Sequence, residues 1–321
     1  MLGLGSLLFF TFGCDKLRDQ ISDIKDEYSD ITNQFVVAGT YLGVQDPDLA
    51  GFMEEELCIP ADAYPIESEM YDQGNQVLIF LAEAELSANI EDSRPVSRAD
   101  VFISSDDGTL DGVELVEGVE GQYSAGSEEG FSYAASRVEL DITHADIEHS
   151  IGIDAPDGAD LSSIPQDNAE NNPITVDLTG QGFHQALMMV LNVETGDVVY
   201  DNLPSEDPAS MYQLAHPEGS LLGEETPEIE TVEIPGDAFV EQGVYAVGVA
   251  GIRAAGKDDM DNVNLLLSGL IAGKFAFTPV CVPDCATVKR ELFCEYSELP
   301  QEECDLLWEL NPEGDCPSLE E

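Results

Sequence analysis

The stretch His144-Ala145-Asp146-Ile147-Glu148-His149 holds the residue types of a metal-dependent hydrolase site. It is one residue longer than the His-x-x-Glu-His spacing that places two imidazoles on one side of a helix. The surrounding pattern predicts a strand followed by a turn, so we interpret His144 and His149 as surface histidines. His184 and His216 have no neighbouring ligand pattern, and the sequence predicts no bound metal.

Clustered acidic residues are weak candidates for calcium. Asp258, Asp259 and Asp261 lie close together, and a second loop holds Asp106, Asp107 and Asp111. Calcium takes 6–8 oxygen ligands, and neither loop matches the twelve-residue calcium loop with its central Gly and terminal Glu. In a chain this acidic such clusters also arise by chance, so calcium stays a possible cofactor for the first loop only.

The cysteines indicate disulfide bonds. The chain has seven, and setting Cys14 aside leaves an even number, which in an exported protein predicts three bonds. Zinc is the alternative, since Cys281 and Cys285 are four residues apart, but no Cys-x-x-Cys pair occurs. The predicted disulfide cysteines are Cys58, Cys281, Cys285, Cys294, Cys304 and Cys316.

The pairing follows from a predicted helical hairpin that turns near Pro300. Positions equidistant from the turn should meet, which pairs Cys294 with Cys304 and Cys285 with Cys316. Cys58 would then take Cys281. Against the outer pair, Cys285 and Cys294 lie on opposite faces of a helix, since nine residues turn it through about 900°.

Motifs of the common enzyme classes do not occur. The chain has no Gly-x-Ser-x-Gly nucleophile elbow, no phosphate loop and no Gly-x-Gly-x-x-Gly. Trp308 is the one tryptophan, and beside Leu307 we interpret it as part of a small core rather than a sugar-binding platform. The sequence therefore gives no catalytic residue.

An apolar run at Leu2–Phe12 ends at a cysteine. It is too short to span a bilayer and has the length of a secretory signal core. Thr11-Phe12-Gly13-Cys14 resembles the lipobox of bacterial lipoproteins, which implies lipidation of Cys14 and an extracytoplasmic, membrane-anchored protein, with inner or outer membrane unresolved. An ordinary signal peptide with an incidental cysteine is the alternative. Because no Lys or Arg precedes Cys14, we expect the natural start to lie upstream.

The charge balance is strongly acidic, with 66 Asp and Glu against 11 Lys and Arg, a formal net charge of −55. Nucleic acid is excluded as a partner because phosphate binding needs clustered basic residues. An anionic membrane surface is excluded as well, apart from the lipid anchor. The acidic residues are dispersed, which favours salt adaptation or plain solubility over a dedicated metal store.

Hydrophobic periodicity predicts a mainly β protein. After the signal (1–14), apolar residues at spacings of 4, 3, 4 and 3 predict a helical stalk over 15–32. Strand patterns separated by frequent turns predict antiparallel sandwich domains over 33–160 and 173–280, with a linker at 161–172. Residues 281–321 form a cysteine-rich helical tail.

One segment of the second domain resembles a known class of module. Ile234-Pro235-Gly236-Asp237-Ala238-Phe239, followed by Gly243-Val244-Tyr245, resembles the late loop and strand of fibronectin-like or immunoglobulin-like bacterial modules. The resemblance implies Ig-like sandwiches and carries no functional residues.

These observations favour a non-enzymatic, lipid-anchored protein that binds or scaffolds a protein or glycan partner in the cell envelope. Two alternatives stay open: an envelope hydrolase using a carboxylate pair, and a calcium-stabilised adhesion-type module.

Overall fold

The structure is a computed structural model that describes residues 34–45, 51–59, 75–84, 94–126, 131–203, 227–265, 267–297, 299–310 and 316. The predicted signal segment, Cys14 and the predicted stalk helix over 15–32 lie outside the described residues, as does His216. Among the described helices, none combines the length and apolar character needed to cross a membrane.

The described chain is built mainly from strands. In chain order they are β1 (Phe35–Val44), β2 (Gln76–Glu83), β3 (Arg94–Pro95), β4 (Asp100–Ser105), β5 (Val113–Glu114), β6 (Val116–Val119), β7 (Gln122–Gly126), β8 (Arg137–His144), β9 (Ile147–Asp154), β10 (Ile174–Asp177), β11 (Gln185–Asn192), β12 (Val198–Asp201), β13 (Thr231–Ile234), β14 (Gly243–Ala254), β15 (Met260–Asp261) and β16 (Gly269–Val282). Helices α1 (Cys285–Tyr296) and α2 (Gln301–Leu310) follow. Shorter helical turns occur at Phe52–Glu56, Gly236–Ala238 and Lys257–Asp259.

A nine-stranded sheet forms the main layer, in the order β12-β11-β14-β16-β1-β2-β7-β6 with β3 beside β2. Its one parallel pair is β1 with β16, and the other pairs are antiparallel. The central strand β14 is buried without interruption from Gly243 to Ile252, which explains its continuous apolar sequence, as expected for a strand covered on both faces.

Two smaller sheets pack on one face of the main sheet. The five-stranded sheet β15-β9-β8-β4-β5 shares a first core with it, in which Tyr41 and Ile79 meet Ile103 and Leu140. The two-stranded sheet β10-β13 covers a second core around Val247. The predicted fold class, mainly β with packed antiparallel sheets and a disulfide-linked helical hairpin at the C-terminus, is confirmed.

The two predicted sandwich domains are not separated in the structure at residues 161–172, because strand β16 contributes to both cores. Leu270 in the first half of β16 belongs to the first core, whereas Val280 in its second half belongs to the second. β15 also pairs with β9 across the predicted linker. The two cores therefore share one continuous sheet, because β1 and β16 pair along 38–44 and 269–275, a long-range pairing that local periodicity does not encode.

The cysteine-rich tail packs on the opposite face of the main sheet. α1 places Val288 and Leu292 against Val244 and Ala246, and its first turn is capped by the Asp284 carboxylate, which accepts a 2.8 Å hydrogen bond from the Thr287 N–H. On β14 these contacts alternate with the side chains of the second core, as the period of two requires.

The described cysteines form three disulfides, Cys58–Cys316, Cys281–Cys285 and Cys294–Cys304. The predicted Cys294–Cys304 bond is present, but the predicted Cys58–Cys281 and Cys285–Cys316 bonds are wrong. Cys281 is the penultimate residue of β16 and lies four residues before Cys285, and their Cα atoms lie 4.9 Å apart. Cys285 and Cys294 lie on opposite faces of α1, which prevents a Cys285–Cys316 bond outside the Cys294–Cys304 bond. Cys316 bonds to Cys58 instead.

Candidate functional site

A cleft of about 660 Å³ opens at one end of the first core. We call it the histidine cleft. The start of β1, the end of β2, the β8–β9 turn and the segment around β15 form its walls. It is lined by Gln34, Phe35, Glu83, His144, Ala145, Ile147, His149, Met260, Asn262, Val263 and Leu265.

The β8–β9 hairpin places both histidines on the same face. His144 pairs with Ile147 and Ile142 pairs with His149, and side chains two residues apart on a strand point the same way. Ile142 is buried in the first core, so the histidines share the core-facing side. The interpretation of surface histidines is wrong: His149 is only 6% exposed and His144 is partly buried.

The zinc-protease motif requires a helix, whereas His144–His149 forms the end of β8, a two-residue turn and the start of β9. Glu148 pairs with Thr143 on the other face of the hairpin. The glutamate of the motif therefore points away from both imidazoles, and the stretch cannot act as a zinc-protease site. The signal that would have located the histidines is their spacing across a two-residue turn.

The turn itself is in an uncommon conformation. Ala145 and Asp146 have φ of 51° and 64°, the pair of positive values of a type I′ turn, which glycine and asparagine favour. Alanine at such a position is strained by roughly 1–2 kcal/mol. Strain of this kind is often found at functional sites, and Ala145 lines the histidine cleft.

His149 is fixed on two sides. Its ring stacks on Phe35 with 3.8 Å between ring centroids and 10° between planes. Its Nδ1 lies 2.5 Å from the carbonyl oxygen of Asn262, so Nδ1 donates the proton and Nε2 carries the lone pair. Burial lowers the pKa of His149, although the Asn262 carbonyl opposes this effect, which favours the neutral ring.

His144 is held less fully. Its ring stacks on Phe35 at a centroid distance of 6.1 Å. Its Nδ1 is buried and has no hydrogen-bond partner within the described chain. A buried polar atom left without a partner costs roughly 1–3 kcal/mol, so this nitrogen is a candidate for contact with a ligand.

The donor set of the histidine cleft is two imidazoles, the thioether of Met260 and the carboxylate of Glu83. Over the residues that the structure describes, no three side chains among His, Cys, Asp and Glu come close enough together to hold a metal ion.

The acidic loop named as a calcium candidate does not assemble a site. Asp259 accepts a 2.7 Å hydrogen bond from the Arg137 guanidinium, and its second oxygen caps the Gly256 N–H at 3.2 Å. Asp261 lies on β15 opposite Ser150. Among the described residues no three such carboxylates come together to hold a metal ion, and the carboxylate of Asp259 is already bound by the Arg137 guanidinium.

The other candidate loop is a hydrogen-bonded turn. Asp107 accepts from the Ser105 hydroxyl at 2.7 Å and from the Thr109 N–H at 2.9 Å. These bonds lower the pKa of Asp107, with the Ser105 hydroxyl as the largest cause. Its oxygens stabilise the turn between β4 and β5.

Glu194 is a candidate catalytic acid for the alternative hypothesis of a hydrolase, because its pKa is raised. Burial raises its pKa, a hydrogen bond from the Val244 N–H lowers it, and the nearby carboxylates of Glu295 and Glu291 raise it again. A shallow groove of about 680 Å³ runs along α1 and includes Glu291 and Glu295, but Glu194 does not line it. Of the described residues, those that line this groove and the histidine cleft do not include Glu194.

The remaining candidates are structural. Trp308 packs edge-on against Phe293 at 5.7 Å beside the Cys294–Cys304 bond, which confirms its predicted place in the small core of the tail. His184, like His144, has a buried Nδ1 without a hydrogen-bond partner in the described chain.

Comparisons with known proteins give only distant structural likenesses. No protein-family model matches the chain, and no curated protein matches it. Among solved structures it is similar to the BSP domain of a biofilm associated protein, at 11% identity over 65% of this chain and 27% of that one, with a TM-score of 0.18.

Two further structures are tandem-domain proteins. A three-Ig structure of titin domains I67–I69 matches at 7% identity over 77% of this chain and 64% of its own, with a TM-score of 0.20. The FN1–FN3 domains of chicken CNTN1 match at 10% identity over 63% of this chain and 61% of their own, with a TM-score of 0.17. The chain covers less than two thirds of the length of each of these structures.

Proposed function

We propose that the protein is a non-enzymatic β-sandwich protein, anchored by a lipid on Cys14, that binds or scaffolds a partner outside the cytoplasm. The observation that carries the proposal is how the cysteines pair. The chain has seven cysteines, and the six after Cys14 bond to one another. Because the six described cysteines pair among themselves, we propose that the seventh, Cys14, has the separate role of carrying the lipid.

The disulfides also support an extracytoplasmic location. Such bonds persist in oxidising compartments and are rare in the cytosol. One of them, Cys58–Cys316, joins positions 258 residues apart, so its loss would release a very large loop. A protein that depends on such a link suits the cell envelope better than a reducing interior.

The anchor is tested by labelling. Cells expressing the full chain are grown with a clickable fatty acid, and the protein is captured and partitioned in a phase-separating detergent. The parent should carry label and enter the detergent phase, whereas Cys14→Ser should lose the label and stay in the aqueous phase. A variant lacking the Cys58–Cys316 pair is the matched control and should keep the label. Label retained by Cys14→Ser would refute the anchor.

The binding role is tested separately by crosslinking in intact envelopes, followed by solubilisation and affinity capture. We expect one protein or glycan to be recovered in stoichiometric amount. Recovery of no stoichiometric partner, with the anchor intact, would refute the binding role and leave the anchor standing.

A further inference from the structure

We propose that the Cys58–Cys316 disulfide is a site of thiol–disulfide exchange, attacked by a dithiol that is uncharged or cationic beside its sulfur. The proposal goes beyond the binding role and does not depend on the lipid anchor. It begins with the different exposure of the three bonds. Cys316 is exposed and Cys58 is partly buried. In the other two bonds, Cys281 and Cys304 are fully buried and Cys294 is 8% exposed.

Exchange requires that a thiolate reach one sulfur of the bond and that the other sulfur leave as a thiolate. At Cys285, which is partly buried, an attack would expel the Cys281 thiolate into the apolar contact between α1 and the main sheet. A charge without a partner is costly to form in such surroundings. An attack at Cys316 expels the thiolate of Cys58 instead, which keeps some contact with water. The Cys58–Cys316 bond should therefore exchange first.

The backbone at Cys58 has a conformation that glycine favours. Its φ is 62°, and it follows directly on Leu57, which ends the helical turn Phe52–Glu56. Helices commonly end on such a left-handed residue, which is usually glycine because a Cβ is unfavourable there. A cysteine at this position holds backbone strain, which is often found at functional sites. Exposed disulfides are also the labile ones, so exposure and strain favour the same bond.

The charge beside the bond selects the attacking thiol. The three glutamates at 54–56 are all exposed, and the Sγ of Cys316 lies 4.0 Å from the backbone carbonyl oxygen of Glu54. The sequence has no Lys or Arg over residues 26–93 or 291–321. Because the attacking thiolate is itself negative, a further negative charge on the reagent increases the repulsion at encounter and a positive charge reduces it. We therefore expect a partner with basic or uncharged groups beside its sulfur.

The exchange transfers two electrons from the dithiol to the protein. One thiolate of the reagent bonds to the Sγ of Cys316, the bond to Cys58 breaks, and Cys58 leaves as a thiolate that takes a proton from water. The second thiolate of the reagent then attacks the first sulfur of the reagent in the mixed disulfide and releases Cys316. The reagent ends as a disulfide and the protein as two thiols. A reagent with one thiol would be displaced again by the nearby Cys58, so net reduction requires a dithiol.

The experiment follows each bond in the folded full chain, which carries Cys14→Ser in every sample because a free thiol would itself exchange. The probes are three dithiols: cationic dithiobutylamine, neutral dithiothreitol and anionic dimercaptosuccinate. Samples are quenched with iodoacetamide over time, and peptide mass spectrometry measures the alkylation of each cysteine. With the cationic and neutral dithiols we expect Cys58 and Cys316 to be alkylated about tenfold faster than the other four cysteines, because the exposed sulfur is attacked first.

The role of charge is tested by one variant that combines Glu54→Gln, Glu55→Gln and Glu56→Gln. It should be reduced about threefold faster than the parent by the anionic dithiol and more slowly by the cationic one, and 1 M salt should remove both differences because the Debye length is then about 3 Å. The matched control removes the same charge from exposed positions of the five-stranded sheet, on the other face of the main sheet, and should behave as the parent does. Its substitutions are Glu114→Gln, Glu139→Gln and Glu148→Gln.

Three results would overturn the proposal. Another bond could open first, all three could open at one rate, or the two charge variants could respond alike to the charged dithiols. Opening at one rate would show that reduction follows unfolding of the whole chain, and an equal response would show that the glutamates beside the bond do not select the thiol. The order of opening is measured on the parent, so it decides even if a variant does not fold.

Discussion

Ala145 illustrates how a single residue limits the stability of the hairpin that holds the histidine cleft. Its φ of 51° is unfavourable for alanine and easy for glycine. We predict that Ala145→Gly raises the free energy of unfolding by about 1 kcal/mol, measured by urea titration. Ala286→Gly is the control, since Ala286 is exposed in the first turn of α1 and glycine in place of alanine in a helix should lower stability. Equal effects of the two substitutions would contradict the assigned turn.

Glu194 predicts a pH-dependent stability difference. Its pKa is raised above the ordinary 4.5, chiefly by burial, so the folded state binds a proton more readily than the unfolded chain. Its contribution is present in acid and is lost as pH rises through the folded pKa. Glu194→Gln keeps a hydrogen-bond acceptor for the Val244 N–H and removes the charge.

We therefore expect Glu194→Gln to match the parent in acid below the ordinary pKa and to be more stable than it at neutral pH. Urea midpoints across this range provide the measurement. Glu170→Gln removes one exposed charge and controls for net charge, since Glu170 has no such burial. A gain for Glu194→Gln that is no larger at neutral pH than in acid would show that burial of the carboxylate does not cost stability.

At the scale of elements, the disulfides determine how the tail is attached. We predict that non-reducing peptide mapping recovers Cys58 linked to Cys316, Cys281 to Cys285 and Cys294 to Cys304. In the chain-entropy model the Cys58–Cys316 loop contributes about 5–6 kcal/mol, the Cys294–Cys304 loop about 3 and the Cys281–Cys285 loop about 2. Serine replacement of each pair should lower the melting temperature in that order. A peptide that links Cys58 to Cys281 would contradict the observed topology.

At the scale of the whole molecule, β16 connects the two cores. Because both cores pack on one continuous sheet, we predict a single cooperative unfolding transition in calorimetry. Ile103→Ala in the first core and Ile234→Ala in the second should each lower stability by roughly 2–5 kcal/mol and shift that same transition. Two transitions, one responding to each substitution, would show that the cores unfold independently.

The acidic surface predicts a response to salt. Folding concentrates a net charge of −55, and the Debye length falls from about 30 Å at 0.01 M to about 3 Å at 1 M salt. We expect the melting temperature to rise clearly across this range, and sodium and potassium chloride to act alike. A flat series would show that the carboxylates lie too far apart to repel.

The sequence by itself determined the class of fold and the chemistry of the cysteines. Apolar residues alternate along strands such as Arg137–His144, which predicts one buried face. The structure buries every second residue of this strand, because side chains alternate between the two faces of a sheet. The Cys294–Cys304 bond was also predictable, since it closes a short loop across a hairpin turn.

The tertiary structure decided everything that depends on residues far apart in the chain. The parallel pairing of β1 with β16 joins the two predicted domains in one sheet, and the Cys58–Cys316 bond links residues 258 positions apart. The histidine cleft has the same origin. The spacing of His144 and His149 is local, but Phe35 and Met260 reach them only through sheet pairing and core packing, and no local propensity encodes which distant strands will meet.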